Sequence, residues 1–452
     1  MPNKLHAALL KHNQQIPRYT SYPTAPHFKN NIGEKEVSNW LSAIPKENTL
    51  SLYFHIPFCK NMCWYCGCNT KATRQYQPVS EYLSYLKKEV SLVASKLKTS
   101  KSVTHIHFGG GSPSYISPND FRDFMTHVRS CFDILDSAEI AIELDPREIT
   151  ETKVAAYAHQ GVNRASLGVQ DFHAPVQEAI NRIQPFRTVF HTVELLRSYG
   201  IEAVSFDLLY GLPKQTREMV EENVRFAALM NPSRISLFGY AHVPWMKKHM
   251  KLIQENSLPD SLERLEQFDT ARAALKQEGY IEIGLDHFAK PNDSMAKAYE
   301  QHELHRNFQG YTTDMATTLI GFGASAISAY TEGYSQNTPD THAYYKALDD
   351  DKIPTIKGLK LNSEDLLRRR IIEHIMCYKG IDLSVIAASE HIDINTFANE
   401  HEKLLELEKD GLVEITGTRV EVNPNAVQAT RLAAAAFDTY LAPTAQKHAQ
   451  VT

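Results

Sequence analysis

The sequence has no apolar run that approaches the roughly 20 residues needed to cross a bilayer, so we expect no membrane span. Its first residues, Met1 to His6, lead into polar sequence without the apolar stretch of a secretory signal. This absence indicates a cytoplasmic protein, in which disulfides are rare. An excess of one charge is also missing, because 48 Lys and Arg stand against 53 Asp and Glu, a net charge of −5. Such a balance gives no overall field for nucleic acid, and we expect none as a partner.

Repeats of solenoid length and low-complexity tracts are also absent from the 452 residues. Hydrophobic residues make up 42% and charged residues 22% of the chain, which is ordinary usage for a globular protein. The length predicts two or three domains. Composition therefore agrees with a large globular enzyme and says little about its chemistry.

Cysteine is scarce outside one short segment. Of the six cysteines, Cys131 and Cys377 each stand alone in an apolar, helical-looking stretch. We expect these two to be buried as small hydrophobic side chains. The other four lie within ten residues and are Cys59, Cys63, Cys66 and Cys68.

The first three of these, Cys59, Cys63 and Cys66, have the spacing C-x3-C-x2-C. A loop this short lets three thiolates converge on three irons of one [4Fe–4S] cube, although clusters normally take four ligands. With three ligands, one iron keeps an open position for a substrate or a cofactor. A structural zinc site is the alternative, but such a site usually draws two cysteine pairs from separated parts of a chain.

The middle of the chain alternates between strand and helix patterns. The helix pattern is clearest over Ser80–Leu97, with Ser80 as the predicted N-cap. Strands separated by helices indicate βαβ crossovers and a parallel sheet, and six such units suit an incomplete (β/α)6 barrel. The predicted strands are Leu50–Phe58, Val103–Phe108, Glu139–Leu144, Arg164–Val169, Ala203–Leu209 and Arg234–Tyr240.

Each predicted strand ends in polar, charged or glycine-rich sequence. In parallel α/β barrels the chemistry gathers at the C-terminal ends of the strands, so these endings together predict a site. Taken singly, Glu143, Gln170 or Asp207 has the alternative role of capping the helix that follows. The endings are the cysteine loop, Gly109–Pro113, Glu143–Arg147, Gln170–Asp171, Asp207 and Tyr240–His242.

The cysteine spacing and the strand endings resemble those of the radical S-adenosylmethionine (SAM) superfamily. The resemblance implies the incomplete (β/α)6 barrel that the strand pattern also suits. It further implies that a glycine-rich turn, here Gly109–Gly111, holds the amino group of the SAM methionine. Glycine at such a turn permits close approach of the backbone to a ligand. Glu143 would then accept hydrogen bonds from the ribose hydroxyls.

Motifs spread over almost the whole chain resemble one family of this superfamily, the oxygen-independent coproporphyrinogen III oxidases of bacterial haem biosynthesis. The haem chaperones of the superfamily typically lack two of these motifs, the N-terminal one and Cys-Gly-Cys-Asn. Two small departures are Ser112, where the family often has Thr, and Tyr65, where Phe is typical. The motifs are Arg18–Ala25, Tyr53–Cys59, Cys66–Asn69, Ile142–Arg147, Ser205–Pro213, Phe308–Thr313 and Gly321–Ile327.

The resemblance assigns roles to particular residues. Cys59, Cys63 and Cys66 would hold the [4Fe–4S] cluster, and Cys68 would be a catalytic neighbour that is not a ligand. A first SAM would lie against Tyr53, which is also placed among the catalytic residues, and against Gly110, Glu143 and Ile327. The family also carries a second SAM, whose neighbours would be Tyr65, Gly111, Ser112, Gln170, Arg182, Asp207 and Ala241.

The implied reaction removes a β-hydrogen from a propionate of coproporphyrinogen III by means of a 5′-deoxyadenosyl radical. Loss of CO2 and one electron then leaves a vinyl group, and two rounds give protoporphyrinogen IX. An unactivated carbon is beyond acid–base catalysis, which is why a cofactor has to carry this chemistry. The cluster needs an electron donor, for which a flavodoxin- or ferredoxin-type protein is expected, and we expect the enzyme to be a monomer.

Three segments are predicted, with boundaries at residues 1–48, 49–350 and 351–452. The first is expected to be an ordered arm over the barrel mouth, where Arg18 can pair with a propionate, and a solvent-exposed arm is the alternative. The second is the barrel with an extension. The third has a helix capped by Ser363 and ending at Met376, a helix over 395–409, a hairpin over 413–422 that turns at Thr416-Gly417, and a last helix over 426–441. It is therefore mainly helical and resembles a winged-helix domain.

Other functions remain open at this point. The basic triplet Arg368–Arg370 raises the possibility of DNA binding in the third segment, but a solvated helix face explains it more simply, and we expect a lid over the substrate. A radical SAM enzyme that acts on another substrate, such as a methyltransferase or a haem-utilisation enzyme, is the nearest alternative. A haem-binding chaperone or a cluster-bearing regulator is the alternative from a different class.

Overall fold

The computed structural model describes residues 4–99 and 101–441, and its core is one mixed sheet of 12 strands. Six strands in the middle of this sheet are parallel and follow one another in chain order. Helices separate these six strands, so the predicted α/β class is confirmed. They are β1 (Leu50–Ile56), β2 (Ser102–Gly110), β3 (Asp133–Leu144), β4 (Arg164–Gln170), β5 (Ala203–Tyr210) and β6 (Arg234–Gly239).

Strand β3 begins at Asp133, six residues before the predicted start at Glu139. Its first residues pair with the beginning of β2, and the register shifts between Val103 and His105. Most of residues 133–137 are exposed or half-buried. This part of the strand therefore lacks the apolar pattern on which a prediction from sequence depends.

Further strands extend the sheet on both sides. Beyond β6 lie β8 (His287–Ala289) and then β7 (Ile281–Ile283), both antiparallel to their neighbours. On the other side β11 (Thr318–Phe322) is parallel to β1, and antiparallel strands follow it to β14 (Thr355–Lys360). The edge strands of the described sheet, β7 and β14, do not pair with each other. The added strands are β7 (Ile281–Ile283), β8 (His287–Ala289), β11 (Thr318–Phe322), β12 (Ile327–Ala329), β13 (Gly333–Asn337) and β14 (Thr355–Lys360), while β9 (His305–Asn307) and β10 (Gly310–Thr312) form a separate hairpin.

The helices of the first 350 residues pack mainly against this sheet. Helix α3 begins at Gln77, so the prediction that Ser80 is its N-cap is wrong. Pro78 occupies the first turn, where its missing N–H removes no helical hydrogen bond. The helices are α1 (Lys4–Lys11), α2 (Glu34–Ala43), α3 (Gln77–Lys96), α4 (Pro118–Cys131), α5 (Glu151–His159), α6 (Ala174–Ala179), α7 (Phe186–Ser198), α8 (Arg217–Leu229), α9 (Ser261–Gln277), α10 (Ser294–Glu300) and α11 (Thr341–Asp349).

The N-terminal arm is anchored by buried aromatic side chains. The hydroxyl of Tyr19 donates a hydrogen bond to Asp438 at 3.0 Å, and the hydroxyl of Tyr22 lies 3.0 Å from that of Thr439. Both tyrosine side chains are buried. The arm therefore packs against the C-terminal end of the described chain and is not a solvent-exposed tail.

The C-terminal part combines helices with a small antiparallel sheet. The cap of α12 (Ser363–Tyr378) is Asn362 and not the predicted Ser363, because the side chains of Asn362 and Asp365 each bond the other's backbone N–H. The predicted hairpin is present as β16 (Val413–Thr416) and β17 (Arg419–Val422), and β15 (Gly380–Asp382) pairs with β17. The remaining helices are α13 (Leu383–Glu390), α14 (Ala398–Lys409) and α15 (Thr430–Ala436), of which the last is shorter than the predicted span 426–441.

Short 3-10 helices connect several of these elements. One of them, Ile394–Phe397, takes the place of the first turn of the helix predicted over 395–409. The others are Ala25–His27, Pro113–Tyr115, Pro146–Glu148, Lys248–Leu252, Glu255–Ser257 and Val427–Ala429.

The basic triplet of α12 is partly engaged within the fold. Arg368 is buried and donates to Glu400 at 2.9 Å and to the carbonyl of Phe437 at 2.8 Å. Arg370 forms an ion pair with Glu390. Two of the three guanidinium groups thus serve packing inside the C-terminal part.

Among residues 4–99 and 101–441, no helix is both long and apolar enough to cross a membrane. The predicted boundaries near residues 48 and 350 remain predictions. The outer ends of the first and third predicted segments, residues 1–3 and 442–452, lie outside the described residues.

Candidate active site

The four clustered cysteines lie on the loop between β1 and α3, at the C-terminal edge of the parallel strands. A short ladder closes this loop at its base, where Phe58–Cys59 pairs with Lys71–Ala72. The backbone N–H of Thr73 donates to the carbonyl of Cys59 at 2.9 Å. The cysteines are therefore held in a closed loop.

Side chains that follow β6 fix the far end of the cysteine loop. His249 bonds the carbonyl of Cys66 at 2.7 Å through its Nε2 atom. Lys247 donates to the carbonyl of Cys68 at 2.8 Å. The positions of the thiols thus depend on a segment about 180 residues away in the chain.

The three predicted ligands have different surroundings. The Sγ atom of Cys59 lies 3.2 Å from the hydroxyl of Thr70. The Sγ atom of Cys63 accepts from Arg182 at 3.5 Å and from Arg147 at 3.6 Å. Two guanidinium groups thus lie next to the sulfur of Cys63.

The fourth cysteine interacts with the third. A hydrogen bond from Cys68 lowers the pKa of Cys66 to about 6, and the same bond raises the pKa of Cys68. Burial raises the pKa of Cys59 to about 12. Cys66 therefore loses its proton more readily than Cys59 or Cys68.

Glu143 lies at the end of β3 and faces the glycine turn. Its Oε2 atom accepts from the backbone N–H of Gly110 at 3.2 Å, and its Oε1 atom lies 3.1 Å from Nε2 of His107. Burial alone would raise the pKa of Glu143, but the bonds from His107 and Gly110 lower it overall. Glu143 is thus an anion at neutral pH and caps no helix.

The glycines of this turn permit close packing. A Cβ atom on Gly109 would lie 2.7 Å from Glu143, and one on Gly111 would lie 2.8 Å from backbone atoms of both Ile56 and Phe58. Gly110 has φ +110°, a conformation that favours glycine. The end of β2 can therefore lie directly against the base of the cysteine loop.

A cavity of about 200 Å3 opens between the cysteine loop and the strand ends. It brings together twelve of the sequence-predicted site residues. They are Cys59, Cys63, Tyr65, Cys66, Cys68, Gly110, Gly111, Ser112, Glu143, Gln170, Arg182 and Asp207.

The other three predicted residues lie elsewhere. Tyr53 and Ile327 line a neighbouring cavity of about 310 Å3, which shares Cys68, Gly110 and Glu143 with the first. The hydroxyl of Tyr53 lies 3.0 Å from Nδ1 of His55, and burial raises the pKa of Tyr53 so that it keeps its proton.

Ala241, the last of the three, lines a third and larger cavity beyond the end of β6. It is therefore not grouped with the other residues that were predicted to surround a second SAM.

Arg182 brings a buried positive charge to the cysteine cavity. It donates to Asp145 at 3.2 Å and to the carbonyl of Gly168 at 2.6 Å. Its Nε atom is buried and bonds no other atom of the described residues. Burial alone would lower the pKa of Arg182, but Tyr65, Asp145 and Cys63 raise it overall. An anionic or hydrogen-bonding ligand in the cavity would meet this charge.

Asp207 is a further acid on the wall of this cavity. Asp207 on β5 is half-buried, and desolvation of its carboxyl raises its pKa to about 6, with a further contribution from the charge of Glu143. At the start of α6, Asp171 and not Gln170 accepts the backbone N–H of His173, at 2.6 Å. Gln170 itself has φ 68° and is buried. The helix-cap alternative is therefore not supported for Gln170.

Sequence reasoning missed several residues of this region. Asp145 holds both Arg182 and Arg147, and His55 and His107 flank Tyr53 and Glu143. Asp145 was within a recognised motif, and His55 stands four residues before Cys59. His107 carries no signal except its place two residues before the glycine turn.

The donor set fits an iron–sulfur cluster with a bound cofactor. No three His, Cys, Asp or Glu side chains in the described ranges converge closely enough to hold a single metal ion. In a cube each thiolate binds a different iron, so the ligands of a cluster need not converge on one point. The glycine turn, the anionic Glu143 and the buried Arg182 then supply hydrogen-bonding groups for a zwitterionic ligand.

A parallel α/β sheet with a three-cysteine loop and a glycine turn at its C-terminal edge defines a radical SAM enzyme. The model of the Radical SAM superfamily matches residues 53–227, and that of the HemN C-terminal domain matches residues 361–428. Superfamily membership implies a [4Fe–4S] cluster and SAM, which confirms both predicted cofactors.

The family within this class follows from relatives that match almost the whole chain. The oxygen-independent coproporphyrinogen III oxidase of Bradyrhizobium diazoefficiens is 46% identical over 97% of each chain. That of Synechocystis is 40% identical over 96% of this chain and 94% of its own. The solved structure of coproporphyrinogen III oxidase (HemN) from Escherichia coli, a radical SAM enzyme, has a TM-score of 0.90 and 37% identity, covering 95% of this chain and 100% of its own. The chain belongs to the oxygen-independent coproporphyrinogen III oxidase family, as the motifs predicted.

Proposed function

We propose that this enzyme converts two propionate side chains of coproporphyrinogen III to vinyl groups and so forms protoporphyrinogen IX in anaerobic haem biosynthesis. The observation that carries this function is the cysteine cavity. Its three-cysteine loop, glycine turn and Glu143 stand together in a chain that is 46% identical to a named coproporphyrinogen III oxidase over 97% of its length.

Cys59, Cys63 and Cys66 would hold the cluster. The glycine turn and Glu143 would hold one SAM, with Tyr53 and Ile327 in the adjoining cavity. When bound, the reduced cluster and SAM supply a 5′-deoxyadenosyl radical, which takes a hydrogen atom from an unactivated carbon. The protein residues bind and orient these groups and exclude water.

The conversion of a propionate to a vinyl group also needs an electron acceptor from outside the protein. In net terms the substrate would give up one β-hydrogen atom of a propionate, and the carbon–carbon bond to its carboxylate would break. CO2 leaves, a one-electron acceptor takes the remaining electron, and the two carbons become a vinyl group. A second round on another propionate completes the product.

The protein's own ionisable side chains at this site are suited to bind and position ligands and not to transfer protons. Glu143 is anionic and can accept hydrogen bonds from ribose hydroxyls. Tyr53 keeps its phenolic proton and lies against His55, whose Nε2 is 2.9 Å from the carbonyl of Asn69. This chain of bonds ties Tyr53 to the cysteine loop, which positions the ring beside Glu143.

We also propose that the cysteine cavity binds a second SAM. Tyr65, Gly111, Ser112, Gln170, Arg182 and Asp207 all line the cysteine cavity, which supports their assignment to it. Ala241, in the loop that follows β6, lines a different cavity and is left out of this set. We also expect a flavodoxin- or ferredoxin-type donor to supply the electron, and the enzyme to act as a monomer.

The test is an anaerobic assay of the reconstituted protein with SAM, a chemical reductant and coproporphyrinogen III. The expected products are protoporphyrinogen IX, CO2, methionine and 5′-deoxyadenosine. SAM cleavage without any vinyl product would indicate another substrate. A tight haem complex with no turnover would indicate a chaperone.

A further inference from the structure

A separate cavity of about 510 Å3 lies beyond the C-terminal ends of β5 and β6. Three arginines from distant parts of the chain line it, namely Arg18 of the N-terminal arm, Arg264 of α9 and Arg431 of α15. We call it the arginine cavity. Its volume lies within the usual range for small-molecule sites, about 300–1,000 Å3.

Two of these guanidinium groups form no ion pair with a carboxylate within residues 4–99 and 101–441. Arg18 is exposed, donates to the carbonyl of Gly239 at 2.9 Å and lies 5.9 Å from the ring centre of Phe238. Arg264 lies 5.7 Å from the ring centre of Tyr210. Both guanidinium groups thus lie over aromatic rings and have N–H groups that can donate hydrogen bonds to a ligand.

The third arginine ties the arm to the C-terminal part. Arg431 is buried and donates to the carbonyls of Ile16 and Pro17. Burial lowers its pKa to about 10, and the positive charge of Arg18 contributes to the same shift. Burial also lowers the pKa of Arg264, and the charge of Arg18 again contributes. Arg18 therefore disfavours the charge of both other arginines, and an anionic ligand would relieve this repulsion.

The acids on the wall of the cavity are engaged with other groups. Asp286 lies 2.8 Å from Nδ1 of His287. Asp260 caps α9 and accepts the backbone N–H groups of Leu262 and Glu263, both at 2.9 Å. Neither carboxylate forms an ion pair with Arg18 or Arg264, although the charge of Arg18 contributes to the lowered pKa of Asp286. The three arginines outnumber these two acids, so the cavity retains a site for an outside anion.

The arginine cavity is coupled to the cysteine cavity through shared elements. Asp207 of β5 lines the cysteine cavity and Tyr210 of the same strand lines the arginine cavity, three residues or roughly 10 Å farther along. The loop after β6 gives Ala241 to the arginine cavity and Lys247 and His249 to the cysteine loop. A ligand that is longer than this separation can occupy both.

We infer that the arginine cavity binds the propionate carboxylates of the porphyrinogen that do not react, and thereby aims a reacting propionate at the cysteine cavity. This inference rests on the proposed function. Arg binds carboxylates in a planar, often bidentate manner, and a tetracarboxylate offers charges on opposite sides of its ring. Arg18 and Arg264 are the positioning residues, and Ala241 belongs to this substrate wall.

The test measures binding of oxidised coproporphyrin III to the cluster-containing protein by fluorescence quenching. Arg18→Gln and Arg264→Met should each weaken binding about tenfold or more, because each removes charge-assisted hydrogen bonds. Arg264→Lys should weaken it less. Arg225→Gln is the matched control, since Arg225 is exposed on α8 and pairs with Glu221 on the same helix.

A second probe identifies which carboxylates bind. Mesoporphyrin IX keeps only the two propionates that correspond to the non-reacting ones, so Arg264→Met should weaken its binding by the same factor. Equal binding of coproporphyrin III by the parent and both neutral variants would overturn the inference. Weakening for coproporphyrin III alone would overturn it too, because the cavity would then hold a reacting propionate.

Folding and function are tested separately. Iron content, SAM binding and the melting temperature should match the parent in Arg18→Gln, whose side chain is exposed. If the parent protein makes no vinyl product from coproporphyrinogen III, the proposed function fails. If it makes the product and Arg18→Gln and Arg264→Met do so with unchanged KM, the arginine cavity is not the substrate site.

Discussion

The backbone N–H of Gly110 donates a hydrogen bond to the carboxylate of Glu143 at 3.2 Å, and this bond joins the C-terminal ends of β2 and β3. It leaves the second carboxylate oxygen beside His107. The position of Glu143 is therefore coupled to that of the glycine turn. A change in Glu143 should affect SAM binding before it affects the cluster.

Replacement of Glu143 by Ala should weaken SAM binding about tenfold or more, because a charged hydrogen-bond acceptor is lost. The iron content should stay near that of the parent, since Glu143 is not a predicted ligand. Glu143→Gln keeps one oxygen acceptor, so its affinity for SAM should lie between that of the parent and that of Glu143→Ala. SAM binding at equilibrium and cleavage to 5′-deoxyadenosine measure the effect. Unchanged values in Glu143→Ala would assign this residue a structural role alone.

Cys59→Ser, Cys63→Ser and Cys66→Ser should each abolish the brown [4Fe–4S] cluster, because a hydroxyl is a poor substitute for a soft thiolate. Cys68→Ser should retain the cluster and impair turnover. Iron and sulfide analysis of the four reconstituted proteins is the measurement. A colourless Cys68 variant together with a brown Cys66 variant would reverse the ligand assignment.

Gly111→Ala should lower both the iron content and the melting temperature. The added Cβ atom would meet the backbone of Ile56 and Phe58 at 2.8 Å, so the base of the cysteine loop would have to move. Gly67→Ala is the matched control within the same loop, because a Cβ there has nothing within 4 Å. Similar iron content in both variants would show that the loop adapts to the extra atom.

Sequence patterns were sufficient for the parts of this fold that are local in the chain. The strands β1, β4, β5 and β6 start where their β-branched and aromatic runs start, and the cysteine spacing stands within ten residues. The same patterns did not show which strands and side chains from distant parts of the chain lie next to each other. The parallel pairing of β11 with β1 brings Ile327 to the site from nearly 270 residues away, and Arg264 and Arg431 meet Arg18 only through tertiary packing.

The stability of the fold should depend on pH through His173. Its hydrogen bond with Asp171, 3.1 Å from Nδ1, raises the pKa of His173 to about 9. Because the folded pKa exceeds the ordinary value, the protonated form stabilises the fold fully below about pH 6.5, and this stabilisation is lost as the pH rises through about 9. The unfolding free energy of the parent should therefore exceed that of His173→Gln most at about pH 6 and least at about pH 10. A difference that is constant with pH would mean that folding leaves the pKa of His173 at its ordinary value.

Removal of the N-terminal arm should separate radical formation from product formation. Deletion of residues 1–30 leaves all six parallel strands and the cysteine loop in place. It also removes Tyr19 and Tyr22 from their buried positions, so we expect a lower melting temperature.

The truncated protein should be brown and should cleave SAM, but without coupled vinyl formation, because abstraction requires the reacting carbon to be held close to the radical. Lys35→Gln on the exposed side of α2 is the control and should retain full coupling. The ratio of 5′-deoxyadenosine to vinyl product measures this coupling. A truncated protein that decarboxylates coproporphyrinogen III at the full rate would show that the arm positions nothing, and Arg18 would then have no part in substrate binding.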